Sequence, residues 1–116
     1  MKVLFIGQKF GNGYFQYLAL KKINKKVDLI DSGKILSFPW ISNKIFFHIS
    51  PLIFESHINS KIFSKIKKNY DLIYVKGGEL IGKHLILKLK KKTKKIVFFC
   101  NDNPFISRDK QKWKLF

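Results

Sequence analysis

A doubly wound α/β fold with a parallel sheet is the class this sequence predicts, and three observations carry it. Residues 70–104, YDLIYVKGGELIGKHLILKLKKKTKKIVFFCNDNP, read as strand, glycine turn, helix and strand: the apolar run 72–75 is opened by Asp71 and closed by Gly77 and Gly78. A second apolar run, 96–100, ends in Asn101-Asp102-Asn103-Pro104, which cannot continue a strand. Both runs are apolar throughout rather than alternating, as in strands covered on both faces, so the sheet is expected to be parallel with helices on both sides.

The opening repeats this order. Residues 2–6 form an apolar, β-rich first strand, and residues 7–13, GQKFGNG, a glycine-bearing turn into a helix over about 14–23. Tyr14, Tyr17, Leu18 and Ile23 are expected on one buried stripe of that helix. Helix amides point at whatever lies in such a loop, which suits phosphate. A dinucleotide fingerprint would place glycine at the first, third and sixth positions, whereas counting from Gly7 the third and sixth are Lys9 and Asn12. Residues 27–31 form the second strand. Asp31 at its end reads first as a plain turn aspartate, and it also sits where a nicotinamide enzyme holds ribose.

From 34 to 56 the pattern weakens. Phe38-Pro39-Trp40 and Pro51 break the chain around a dense apolar patch, which reads as short helices over the sheet or as a lysine-flanked segment for a membrane interface or an amphipathic substrate. Ile58, Ile62, Phe63 and Ile66 then mark an amphipathic helix, with Lys65, Lys67 and Lys68 at its carboxyl end. A further helix, 79–92, carries Ile81, Leu85 and Leu89 at four-residue steps. Its alternation near Leu85 would also permit a strand, but a parallel crossover demands a helix. The strands are thus expected at 2–6, 27–31, 71–76 and 95–100, in order 2-1-3-4, within a three-layer α/β/α sandwich. The long excursion between the second and third strands carries the chain to the other side of the first.

Composition narrows the function classes. The 116 residues amount to one domain, and the end, DKQKWKLF, reads as the first turns of an uncapped helix, as expected of a fragment of a longer protein. The net charge of +17 rests on Lys, with Arg108 the only arginine and Ala19 the only alanine, a skew that AT-rich coding also produces. Base readers favour the bidentate fork of Arg, so the lysines read first as solvated surface, with an anionic membrane as the alternative and nucleic acid behind it. The single cysteine, Cys100, excludes a disulfide framework, and its place in the final run marks it as a small core residue. No apolar run reaches membrane-spanning length and no signal peptide opens the chain, so a cytoplasmic protein is expected, peripheral to the inner membrane face if it meets lipid.

In such sheets ligands sit beyond the carboxyl ends of the strands. The candidate ligand residues there are Gly7, Gly11, Asn12, Gly13, Lys76, Gly77, Gly78, Glu79 and Asn101, and the candidate catalytic residue is Asp102, as general base, hydroxyl binder or helix cap. No nucleophile elbow, Walker motif or metal-ligand spacing is present, and His48, His57 and His84 are scattered.

In their order and spacing these pieces resemble the amino-terminal domain of GT-B glycosyltransferases, in particular the bacterial group similar to spore-protein-maturation glycosyltransferases. Asp71, Leu72, Ile73, Val75, Lys76 and Gly77 nearly match that group's D-L-I-x-V-x-K-G strand, and Asn101, Asp102 and Pro104 match its N-D-x-P strand end. The resemblance spans the whole chain but only about the first third of such an enzyme. It implies two Rossmann-like domains facing across a cleft, of which residues 1–116 would be the acceptor-side one and the carboxyl-terminal, donor-binding one a missing partner. It also implies a sugar acceptor, a nucleotide-sugar donor as substrate, and no cofactor or obligatory metal. Residues 7–13 would face the donor phosphates, and Lys76, Gly77, Asn101 and Asp102 would line the acceptor side.

Overall fold

The computed structural model describes residues 1–35, 55–77 and 81–100. Four strands form one parallel sheet: β1 (Val3–Gly7), β2 (Val27–Asp31), β3 (Tyr70–Lys76) and β4 (Thr93–Phe99), in the order β2-β1-β3-β4. Among the described residues the helices are α1 (Gly11–Ile23), α2 (Glu55–Ser64) and α3 (Lys83–Leu89), with a 3-10 turn at Ser32–Lys34. This is the Rossmann-like α/β arrangement expected from the sequence, with the strand order 2-1-3-4.

β1 lies at the centre because all five of its residues are apolar or glycine and all are buried. Its side chains divide by the two-residue period of a strand. Leu4 and Ile6 join Ile30, Ile73 and Val75 beneath α2 and α3, which contribute Ile58, Ile62, Leu85 and Leu89. Val3 and Phe5 face the other way, with Val27, and meet Tyr17 of α1. On that side Phe5 stacks on Tyr74, ring centroids 5.3 Å apart, and tilts against Tyr17 at 5.8 Å. Helices therefore cover both faces, α1 on one and α2 with α3 on the other.

Four expectations are corrected. Of the helix expected over 79–92, only Lys83–Leu89 is helical among the described residues, so Ile81 precedes it. The first helix starts at Gly11, not near Tyr14, so the β1–α1 loop is only residues 8–10, and Gly11, Asn12 and Gly13 form the helix's first turn. Ile23 does not share the stripe of Tyr14, Tyr17 and Leu18: eight residues after Phe15, it lies on the opposite, exposed side of α1. The run 96–100 is not covered on both faces either. β4 is the outermost of the described strands; Ile96 packs beneath the helices, while Phe98 and Phe99 remain 39% and 42% exposed. For Phe99 the cause is geometric: the core around α1 is centred on β1 and β2 and reaches only to Leu72 and Tyr74 of β3, whereas Phe98 shares the face of Ile96. Cys100 accordingly lies just past β4 and is half-buried.

Candidate functional site

Because the strands are parallel, Gly7, Asp31, Lys76 and Phe99 end them on one edge of the sheet. The chain leaves β1 toward β2 on one side, whereas β3 lies on the other, so the topology reverses between β1 and β3. Such a reversal opens a crevice at the carboxyl edge, the usual ligand position in open α/β sheets.

The crevice is shaped by a lysine and two glycines. A Cβ on Gly7 would stand 3.1 Å from Lys76 Cβ and only 2.6 Å from Phe5 Cε1, and one on Gly13 would stand 3.2 Å from Lys76 Cγ. The aliphatic stem of Lys76 thus runs against positions 7 and 13, and glycine is what leaves it room. Its ammonium leans toward β4, with Nζ 4.7 Å from the centroid of the Phe99 ring, a distance at which a cation is attracted by the ring face. Lys76 and Phe99 are register partners, so the pairing of β3 with β4 sets this contact. Beyond Lys76 the ladder extends by one bond, as Gly77 N–H donates to Phe99 O at 3.0 Å. Gly77 then turns with φ 97°, which an L side chain rarely adopts.

The opposite lip is organised by Asp31. Its Oδ1 accepts from Gly33 N–H at 3.0 Å and from Lys9 N–H at 3.2 Å, tying the end of β2 to the β1–α1 loop. The carboxylate oxygen named for ribose therefore does the work of a turn aspartate in this structure. The amino end of α1 has no acidic residue in its first turn, and Phe10 at its cap offers no side-chain hydrogen bond. The field of the helix there is positive and uncompensated by a carboxylate of its own.

Of the groups with shifted pKa values among the described residues, Tyr74 is raised by burial beside Phe5 in mid-sheet, and the others stand at the other edge. Asp28, near the start of β2, is held below the usual carboxylate range, first by the Lys68 ammonium at 2.8 Å and then by the Tyr70 hydroxyl, which donates to Oδ2 at 2.8 Å. Burial, then the Asp28 carboxylate, pushes Tyr70 up to about 12. Asp71 is also lowered, chiefly because its Oδ2 accepts from Lys2 N–H at 2.7 Å. These contacts fasten the amino ends of β1, β2 and β3, and they are structural. A groove of about 550 Å³ between α2 and α3 lies on the helical layer and not at the strand ends. Among the described residues, no three His, Cys, Asp or Glu side chains gather as metal ligands.

Of the residues named from the sequence, Gly7, Gly13 and Lys76 come together, with Gly77 next to Lys76 in the chain and Gly11 and Asn12 opening the helix beside them. Gly78, Glu79, Asn101 and Asp102 lie outside the described residues. Phe99, the platform under the lysine, and Lys9, the amide partner of Asp31, went unnamed. Phe99 could have been found by writing β3 beside β4 in parallel register, which sets it opposite Lys76.

Compared with protein-family models, curated proteins and solved structures, the chain matches none.

Proposed function

We propose that this chain is the acceptor-side domain of a glycosyltransferase, working with a separate donor-binding domain on a nucleotide-sugar. One observation supports this reading above the others: at the β1–β3 switch point, Gly7, Gly13 and Lys76 converge on a crevice whose cation is directed toward β4. A lysine anchored in that way suits the acceptor side, where it neutralises a phosphate or carboxylate next to the reacting hydroxyl. The exposed amides at the start of α1 are the complement for the donor diphosphate.

In the proposed reaction an acceptor hydroxyl attacks the anomeric carbon of the donor sugar. The oxygen–carbon bond forms, the bond from that carbon to the diphosphate breaks, and the nucleotide leaves with the electron pair. Asp102, three residues past the end of β4 in sequence, receives or orients the hydroxyl proton. Asn101 and the Gly77 turn would bind the acceptor.

The test is Asp102→Asn in the complete enzyme, which keeps size and removes basicity. Turnover is expected to fall on the order of a hundredfold or more with thermal stability unchanged. Unchanged turnover would take Asp102 out of the chemistry, since Asn caps a helix about as well as Asp. Tight binding of a reduced nicotinamide cofactor, weakened by Asp31→Ala, would replace sugar transfer with hydride transfer.

A further inference from the structure

The exposed side of α1 carries an apolar stripe that the sugar-transfer reading does not use. Phe15, Ala19 and Ile23 follow at four-residue steps, all three exposed, with Phe15 at 68% and Ile23 at 86%. Lys22 falls on the same side, seven residues and nearly two turns after Phe15. Lys25 and Lys26, also exposed, continue the positive end just past the helix. Residues 1–27 contain no Asp or Glu at all.

We propose that this side of α1 docks on an anionic phospholipid surface, the helix lying flat with Phe15 and Ile23 in the headgroup boundary. Charge and area both select lipid over protein. Cores of protein interfaces are depleted in lysine, whereas large exposed apolar residues flanked by lysines suit the boundary of an anionic bilayer. Two large side chains about 12 Å apart along the helix supply on the order of a few hundred Å² of apolar surface, well short of the roughly 800 Å² per partner that stable protein interfaces bury. On a bilayer that deficit is made up by the attraction of Lys22, Lys25 and Lys26 to anionic headgroups. The inference stands on α1 alone and is independent of sugar transfer. The aromatic segment within residues 34–56, for which the sequence offers a membrane interface as one of its readings, lies largely outside the described residues.

Sedimentation of the full chain with vesicles of equimolar phosphatidylglycerol and phosphatidylcholine tests it, with circular dichroism to confirm that each variant is folded. The wild-type chain is expected to bind these vesicles and to bind pure phosphatidylcholine far more weakly. Phe15→Ser with Ile23→Ser is expected to lower partitioning about tenfold or more, with charge unchanged. Lys22→Gln, Lys25→Gln and Lys26→Gln together are expected to do the same with the apolar pair intact. Failure of the wild-type chain to bind overturns the proposal. Undiminished binding of the serine variant also overturns it, because adsorption would then belong to the lysine surface at large. A dimer in gel filtration that the serine variant abolishes would instead assign the stripe to a second copy of the chain.

Discussion

Lys76 and Gly13 offer a direct reading of how single residues shape the crevice. Glycine inside a helix costs up to about 1 kcal/mol relative to alanine, so Gly13→Ala would ordinarily stabilise α1. Here the added Cβ would stand 3.2 Å from Lys76 Cγ, which must give way. In the native background the substitution is therefore expected to be neutral or destabilising. Combined with Lys76→Ala it is expected to stabilise by about 0.5–1 kcal/mol. A double-mutant cycle in urea measures the coupling; strict additivity would show that the lysine stem does not rest on the helix.

Tyr70 and Asp28 set opposite limits on the pH range of the fold. The folded pKa of Tyr70 is raised, so its neutral form is favoured in the native state. That contribution is whole below the unfolded value of 10.0 and lost as pH rises toward about 12. Asp28 is lowered, so its contribution is present above the usual carboxylate range and lost as pH falls through the folded value. Tyr70→Phe is expected to flatten the fall in stability between about pH 10 and 12 relative to wild type, measured by urea midpoints across that interval. Equal slopes in the two proteins would remove Tyr70 from the alkaline limit.

Among the elements, the helices illustrate what periodicity reveals and what it hides. Ile58 and Ile62 of α2, with Leu85 and Leu89 of α3, were legible from their four-residue steps, and all four are buried. Leu87 is just as apolar in composition, yet it is 51% exposed because it falls on the outer side of α3. Leu85→Ala is thus expected to cost about 2–5 kcal/mol, while Leu87→Ala costs less than about 0.5 kcal/mol. Comparable losses at both positions, in chemical denaturation, would contradict the packing of α3. The start of α1 was misread for a physical reason: glycine is both a loop former and the residue that admits a close neighbour, and sequence alone does not separate the two. At Gly13 the neighbour is Lys76, some sixty residues away in the chain. The cover of β4 was misread similarly, since an apolar run does not say whether a helix lies over it.

At the scale of the whole molecule, the sheet was legible because its four strands are short apolar runs separated by helical segments, and right-handed crossovers leave few ways to order them. The direction of the ligand edge followed from the parallel strands. The contact of Lys76 with Phe99 did not, because it depends on register between β3 and β4, which emerges only on folding. Nor does any helix among the described residues have the length and apolarity to cross a membrane. The central claim is that ligand enters at the carboxyl edge, between β1 and β3. Amide chemical-shift mapping of the isotopically labelled chain, titrated with inorganic pyrophosphate as a probe for an anion held by the α1 amides and Lys76, tests it most directly. Shifts are expected to concentrate on Gly7, Gly11, Asn12, Gly13, Lys76 and Gly77, leaving Asp28, Tyr70 and Asp71 at the far edge unmoved. Shifts centred on that far edge, or none at millimolar ligand, would contradict it.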